Sequence, residues 1–195
     1  MRPGMISLPA ALGLMLLGGC DKPKPSELQP KVGDVTATDD VPAETIGKVD
    51  ITQAGQEAPA VPFEGPGGAP ATLASFRGKP FMVNLWATWC APCIKEMPAL
   101  DRLAQDSAAR FRVVTISQDL AGARDVAPFF AKKGFKALPQ YIDKQNVLME
   151  ALKTDTLPTT IFYDAKGKEK WRVAGAMDWT GERARTLIDG ALPKG

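Results

Sequence analysis

Two cysteines, Cys90 and Cys93, are separated by two residues and are the side chains of this chain best suited to chemistry. They follow an apolar, β-prone run at residues 81–86, which is typical of a buried strand. Residues 94–104, which come after them, have the spacing of apolar positions expected of an amphipathic helix. A Cys-x-x-Cys motif between a strand and a helix indicates thiol–disulfide exchange rather than metal binding.

Two other uses of this pair fit the sequence less well. A structural disulfide between them would close a ring of four residues, for which loop-closure entropy gives only about 2 kcal/mol. A Cys₄ zinc site would need two more cysteines, whereas the chain has only Cys20 besides the pair. The chain also contains no histidine, which excludes His-ligated metal sites, Cys-His nucleophiles and Ser-His-Asp triads.

The overall composition is that of one ordinary domain with extensions. The chain has 195 residues and a net charge of +2, and its basic residues are scattered. Because nucleic-acid-binding domains usually carry a concentrated basic patch, this distribution argues against a nucleic-acid partner.

The N-terminal region predicts export and attachment to a membrane. Residues 1–19 contain one basic residue, Arg2, and an apolar run that suits a signal peptide and is short for a membrane span. The sequence Leu-Gly-Gly-Cys at 17–20 resembles a bacterial lipoprotein box, which implies a lipidated Cys20; an uncleaved signal anchor is the alternative. Asp21 in the lipoprotein pattern implies retention in the cytoplasmic (inner) membrane. Residues 20–57 are rich in proline, charged and small residues, so we expect a flexible linker before a domain at 58–195.

Beyond the linker, strand and helix patterns alternate, and this predicts an α/β domain with a mixed sheet covered on both faces. A short hairpin is expected first, at 61–64 and 71–73, before the strand that leads to the cysteines. The later expected elements are strands at 111–117, 156–164 and 170–174 and helices at 125–134, 147–153 and 180–191.

The run Asn84-Leu85-Trp86-Ala87-Thr88-Trp89-Cys90-Ala91-Pro92-Cys93, continued by Lys95-Glu96-Met97-Pro98-Ala99-Leu100, resembles the TlpA/ResA branch of the thioredoxin superfamily. The resemblance extends over residues 59–188. It implies a thioredoxin fold with an N-terminal β-hairpin extension, protein-disulfide reductase activity, no cofactor and a periplasmic location. It also implies partners of two kinds: disulfide-bearing apocytochrome c or copper-site assembly proteins, and a membrane dithiol donor of the DsbD/CcdA type.

The same resemblance assigns roles to the residues around the motif. Cys90 would start the helix, where the dipole favours a thiolate, and attack a partner disulfide. Cys93 would then resolve the mixed disulfide. Trp89, Ala91 and Pro92 would form the surface around the disulfide. Trp89 could contact a partner or could equally only shield the disulfide as part of the structure.

Pro158 is expected to be the cis-proline facing the disulfide, and the backbone at Leu157 and Pro158 would pair with the partner's extended chain. A trans proline that merely starts a strand is the alternative.

Glu96 follows Cys93 by three residues, so a helix places the two side chains on neighbouring faces. The resemblance implies that Glu96 exchanges a proton with Cys93. The alternative is that Glu96 is a first-turn carboxylate that only interacts favourably with the helix dipole. Thioredoxin itself has a buried aspartate where this chain has Asn84, which strengthens the case for Glu96 as the substitute acid.

Three rival functions are consistent with parts of the sequence. A copper chaperone could hold Cu(I) between the two thiolates, which are soft ligands, but no methionine or histidine motif accompanies them. An inert interaction lipoprotein would tolerate replacement of both cysteines, and a peroxidase fits least because the expected lone peroxidatic cysteine is missing.

Overall fold

The computed structural model describes residues 47–193. The expected signal peptide at 1–19, the lipidated Cys20 and the linker up to residue 46 lie outside these residues. Eight strands form one sheet in the order β1-β8-β7-β4-β5-β6-β2-β3. The strands are β1 (Lys48–Asp50), β2 (Phe63–Glu64), β3 (Pro70–Ala71), β4 (Phe81–Trp86), β5 (Arg112–Ser117), β6 (Tyr141–Ile142), β7 (Thr159–Tyr163) and β8 (Glu169–Ala174). The helices are α1 (Ala91–Ser107), α2 (Ala123–Lys133), α3 (Val147–Ala151) and α4 (Glu182–Ala191).

The centre of the sheet is β4, all of whose residues are buried. It pairs in parallel with β5 and antiparallel with β7, so the sheet is mixed as predicted. Side chains alternate between the faces of a strand, and Met82 and Trp86 accordingly join one apolar cluster while Val83 joins another. Helices α1, α2 and α4 contribute to the first cluster and α3 to the second, which confirms helices on both faces.

The sheet begins earlier in the chain than the sequence predicts. Strand β1 pairs antiparallel with β8, with Val49 opposite Val173, although the linker was expected to extend to residue 57. Glu57 also forms a β-bridge with Lys168. The boundary at 57/58 is therefore wrong, because backbone pairing with an open sheet edge orders a segment that has little apolar side-chain area of its own.

The expected N-terminal hairpin is present but short. Strands β2 and β3 pair antiparallel, with Phe63 opposite Ala71. The hairpin joins the sheet through Glu64, which pairs with Ile142 of β6. Strand β6 was not predicted, since two residues are too few to show a period.

The helices expected at 125–134, 147–153 and 180–191 correspond to α2, α3 and α4, each within two residues at either end. Helix α2 ends at Gly134, whose left-handed conformation (φ 65°) favours glycine, as predicted. Within residues 47–193, no helix combines the length and the apolar character needed to cross a bilayer.

Candidate active site

Cys90 and Cys93 are joined by a disulfide at the start of α1, with an S–S distance of 2.02 Å. Cys90 is the N-cap residue, and its Sγ accepts a hydrogen bond from the Cys93 backbone N–H at 3.3 Å. The first turn of α1 contains no acidic side chain. The positive end of the helix is thus free to stabilise a thiolate at Cys90 once the disulfide is reduced.

The two sulfur-bearing residues differ in their access to solvent. Cys90 keeps 6% of its surface exposed, whereas Cys93 is completely buried. Both belong to the apolar cluster that α1, α2 and α4 form on one face of the sheet. A protein thiol or disulfide can therefore reach Cys90 first, and Cys93 can react only from inside.

The loop that leads from β4 to Cys90 is fixed by a buried carboxylate. Asp119, which follows the parallel strand β5, accepts hydrogen bonds from the Thr88 backbone N–H at 3.0 Å and from the Thr88 hydroxyl at 2.6 Å. The Ser117 hydroxyl donates to the same carboxylate at 2.7 Å. Asp119 is 1% exposed, so these bonds satisfy a group that would otherwise be costly to bury.

The Leu157–Pro158 peptide bond is cis, in agreement with the expectation for Pro158. Strand β7 begins at the next residue, Thr159, which pairs with Leu85 near the end of β4. The cis-proline therefore lies beside the end of the strand that leads to the cysteines. Pro158 is buried and Leu157 is half-buried, and the Pro158 carbonyl accepts a hydrogen bond from the Gly175 N–H at 2.8 Å.

Glu96 is buried in α1 and points into a set of hydrogen-bond donors. Its Oε1 accepts a bond from the Asn84 side-chain amide at 2.7 Å. Its Oε2 accepts two, from the Met177 backbone N–H at 3.2 Å and from the Trp179 indole N–H at 3.1 Å. Helix α1 begins at Ala91, so Glu96 lies beyond the first turn, and the alternative of a first-turn carboxylate answering the dipole does not apply.

Burial raises the pKa of Glu96 to about 7, while the hydrogen bonds from Met177, Asn84 and Trp179 act in the opposite direction. No charged side chain contributes to this pKa. A carboxyl group with this pKa can both accept and release a proton near neutral pH.

Asn84 is held in the sheet by its neighbours. It lies opposite Thr160 of β7 and Thr115 of β5, and its side-chain amide donates to the Thr160 hydroxyl at 2.9 Å. Both amide hydrogens of Asn84 are therefore used, one of them on Glu96. A buried amide on β4 is thus hydrogen-bonded to a buried carboxyl group on α1.

The outer surface near Cys90 exposes two large apolar side chains beside the charged residues Asp119, Arg124 and Asp125. Trp89 is 70% exposed and Leu120 is 72% exposed, and both line an open depression together with Arg124. Ala91 is exposed and Pro92 is half-buried. An exposed tryptophan at a reactive disulfide is suited to contact a partner protein.

Three residues of this site were missed in the sequence: Asp119, Met177 and Trp179. Asp119 was accessible to reasoning, because the carboxyl ends of the adjacent parallel strands β4 and β5 meet at one edge of the sheet. No local pattern marks Met177 or Trp179, since both contact Glu96 from a loop more than 80 residues away in sequence.

Comparison with solved structures identifies the architecture. The thioredoxin domain of a thiol-disulfide oxidoreductase from Bacteroides vulgatus superposes with a TM-score of 0.60 at 23% identity, covering 72% of this chain and 98% of that one. The exposed lipoprotein thioredoxin of Streptococcus pneumoniae superposes with a TM-score of 0.54 at 27% identity, covering 66% and 98%. The fold is a thioredoxin fold with extra N-terminal strands, and with its Cys-x-x-Cys disulfide it defines a thiol–disulfide oxidoreductase.

Sequence comparison gives the family. The Redoxin family pattern matches residues 53–188. The thiol:disulfide interchange protein DsbE of Pseudomonas fluorescens is 32% identical over 128 residues, which are 63% of this chain and 70% of that protein. The thiol-disulfide oxidoreductase ResA of Geobacillus thermodenitrificans is 32% identical over 108 residues, which are 54% and 60%. The chain belongs to the Redoxin family, in its ResA- and DsbE-like part.

Proposed function

We propose that this protein is a protein-disulfide reductase, with Cys90 as the attacking thiolate, Cys93 as the resolving thiol and Glu96 as the group that takes the proton from Cys93. The observation that carries this proposal is the difference between the two cysteines: Cys90 caps the helix and keeps 6% of its surface exposed, while Cys93 is fully buried in the same helix as Glu96. Such an arrangement separates the roles of attack and resolution.

The reaction begins with the reduced protein. The Cys90 thiolate attacks one sulfur of the partner disulfide, a Cys90–partner disulfide forms, and the other partner sulfur leaves as a thiolate. Cys93 gives its proton to Glu96 and attacks Cys90, which forms the Cys90–Cys93 disulfide and releases the second partner sulfur. The partner gains two electrons and this protein loses them, so a dithiol donor must reduce the disulfide before the next cycle.

Partner binding is assigned to the surface around Cys90. Trp89, Ala91 and Pro92 would contact side chains next to the partner's cysteine. The backbone of Leu157, next to the cis-proline Pro158, would pair with the partner's extended chain by strand addition. Pro158 itself has no N–H, and its carbonyl already accepts a bond from Gly175. The apolar side chains of Trp89 and Leu120 favour partners with apolar residues near the reactive disulfide.

Partners and location are inferred from the sequence. ResA- and DsbE-type relatives support protein thiol substrates, and we assign apocytochrome c or copper-site assembly proteins as substrates and a DsbD/CcdA-type membrane protein as donor. We place the protein in the periplasm, held at the inner membrane by a lipidated Cys20. A Cys20→Ser variant should leave the membrane fraction, and retention there would argue for an uncleaved signal anchor.

A trapping experiment tests the assignment of the two cysteines. A tagged Cys93→Ser variant, expressed in its native envelope, should accumulate a mixed disulfide through Cys90 because the resolving thiol is missing. Alkylation, purification and mass spectrometry would identify the linked partner. Cys90→Ser is the matched control and should trap nothing, since its remaining thiol is buried.

Other results would contradict the proposal. Equal trapping by both variants would mean that burial does not separate the roles of the cysteines. A tight, stoichiometric Cu(I) complex of the wild type without disulfide-reductase activity would favour the copper chaperone instead. A redox potential of about −120 mV, the value of the oxidant DsbA, would contradict the proposal that this protein reduces its partners.

A further inference from the structure

The loop between β8 and α4 supplies two of the three hydrogen bonds that the Glu96 carboxyl group accepts. We call residues 175–179 the Trp179 segment. It provides two donors to the same oxygen of Glu96: the Met177 backbone N–H at 3.2 Å and the Trp179 indole N–H at 3.1 Å from Oε2. The third donor, Asn84, contacts only Oε1, at 2.7 Å.

Each carboxylate oxygen has two lone pairs and can accept about two hydrogen bonds. Oε2 already accepts two, whereas Oε1 accepts one. The free lone pair of the carboxylate is thus on Oε1, and a proton can be taken up there without breaking a hydrogen bond to Oε2.

We propose that Trp179 is a positioning residue of the redox reaction: it occupies Oε2 together with the Met177 N–H and so directs the proton from Cys93 to Oε1. This inference rests on the proposed function of Glu96 as the proton acceptor. In the resolution step the Cys93 S–H bond breaks and the proton goes to Oε1. The freed sulfur electron pair forms the bond to Cys90, the bond between Cys90 and the partner sulfur breaks, and that partner sulfur leaves as a thiolate.

The Trp179 segment is itself fixed at several points, which a positioning role requires. At its start, the Gly175 N–H donates to the Pro158 carbonyl at 2.8 Å. The Ala176 carbonyl accepts a bond from the Gly47 N–H at 2.6 Å, next to β1. The residues on either side of Trp179 are joined to each other, because the Asp178 carboxylate accepts bonds from the Thr180 N–H at 2.9 Å and the Thr180 hydroxyl at 2.6 Å. Trp179, which is 3% exposed, is therefore held against Glu96 by a hydrogen-bonded backbone.

The surroundings of Glu96 contain few other titratable groups. On α1 these groups are the two cysteines. The neighbouring Lys95 is exposed and therefore faces solvent. Strands β4 and β7 present the neutral Asn84 and Thr160. In the Trp179 segment the only charged residue is Asp178, which is exposed and bonded to Thr180. The titration of Glu96 therefore depends on burial and on its three N–H donors, with no ion pair to mask the loss of one of them.

Trp179→Phe removes the indole donor and keeps an aromatic ring. Trp171→Phe is the matched control, because Trp171 is also buried in the same apolar cluster and donates its indole N–H, but to the Leu187 carbonyl at 3.0 Å. The titration of Glu96 is measured by the ¹³C shift of its side-chain carboxyl in the oxidised protein, and the pH profile of resolution by stopped-flow kinetics with a disulfide-bearing peptide.

Losing one hydrogen bond to the charged form disfavours the carboxylate about tenfold, which corresponds to about one pH unit. We expect Trp179→Phe to move both midpoints upward by about one unit and Trp171→Phe to move neither. An unchanged midpoint in Trp179→Phe, a downward movement, or an equal movement in both variants would overturn the inference.

Two further measurements separate the possible failures. If Glu96→Gln leaves the pH profile of resolution unchanged, the proposed role of Glu96 fails and this inference fails with it. If Glu96→Gln abolishes the profile while Trp179→Phe has no effect, only the inference fails. Should Trp179→Phe not fold, the indole ¹H–¹⁵N signal of Trp179 in the wild type must titrate with the midpoint of Glu96 and stop titrating in Glu96→Gln; a signal that does not titrate overturns the inference.

Discussion

The buried carboxyl of Glu96 should make the stability of the oxidised protein depend on pH in a characteristic direction. Its ordinary pKa is 4.5, and burial raises the pKa to about 7 in the folded protein. Between these values the folded state holds a proton that the unfolded chain has released. Stability therefore falls as the pH rises through this range, and it is undiminished below about pH 4.5.

The magnitude follows from the two pKa values. One pKa unit corresponds to about 1.4 kcal/mol, so the difference between 4.5 and about 7 amounts to about 3 kcal/mol at pH 8. Glu96→Gln removes the titration. The free energy of unfolding of the variant relative to wild type should therefore rise by about 3 kcal/mol between about pH 4 and pH 8.

Urea unfolding of the oxidised proteins at several pH values measures this difference. In the variant, the glutamine N–H₂ replaces one carboxylate oxygen and so faces an N–H donor instead of accepting from it. The lost hydrogen bond lowers the free energy of unfolding by an amount that does not depend on pH. The slope with pH, not the absolute stability, is therefore the quantity to compare. The exposed Glu150→Gln controls for the change in net charge. A difference that stays constant with pH would refute the reasoning, because it would show that folding does not suppress the ionisation of Glu96.

Two other predictions concern the surroundings of Cys90. Asp119→Ala should lower the free energy of unfolding by about 2–3 kcal/mol in urea melts, because the half-buried donors of Thr88 and the buried hydroxyl of Ser117 lose their acceptor. An effect below about 0.5 kcal/mol would mean that the loop before Cys90 is held by other contacts. Trp89→Ala should raise the KM for a protein disulfide at least severalfold and leave the reaction with a small-molecule disulfide unchanged, because the indole is exposed and lies outside the reacting groups. Equal losses with both substrates would place Trp89 in the chemistry instead of partner binding.

The parts of the molecule that the sequence predicted are those with a local signal. The six-residue apolar strand β4, the motif that follows it and the spacing of apolar residues in α1 all lie within 27 consecutive residues, 81–107. The cis-proline at Pro158 was expected only through resemblance, because no property of an isolated Leu-Pro pair specifies the cis isomer.

The parts that were missed depend on contacts between distant segments. Strand β1 has three residues and no apolar pattern, and only the free edge of β8 gives it a partner. Trp179 reaches Glu96 from 83 residues further along the chain, and its role becomes visible only when β8 and α1 are packed on the same sheet. Sequence periodicity reports how an element is buried and does not report which polar atoms meet there.

Because Glu96 and Cys93 are three residues apart on a single helix, their Cβ atoms stay about 5–6 Å apart wherever that helix is placed. The Cys-x-x-Cys-x-x-Glu turn is in this sense a portable unit, whose internal geometry would survive transfer to another scaffold. The pKa of the glutamate would not be transferred with it, since its hydrogen-bond donors Asn84, Met177 and Trp179 lie on other segments of this protein. A designer could thus tune the working pH of such an oxidoreductase by changing those three donors while leaving the reactive turn untouched.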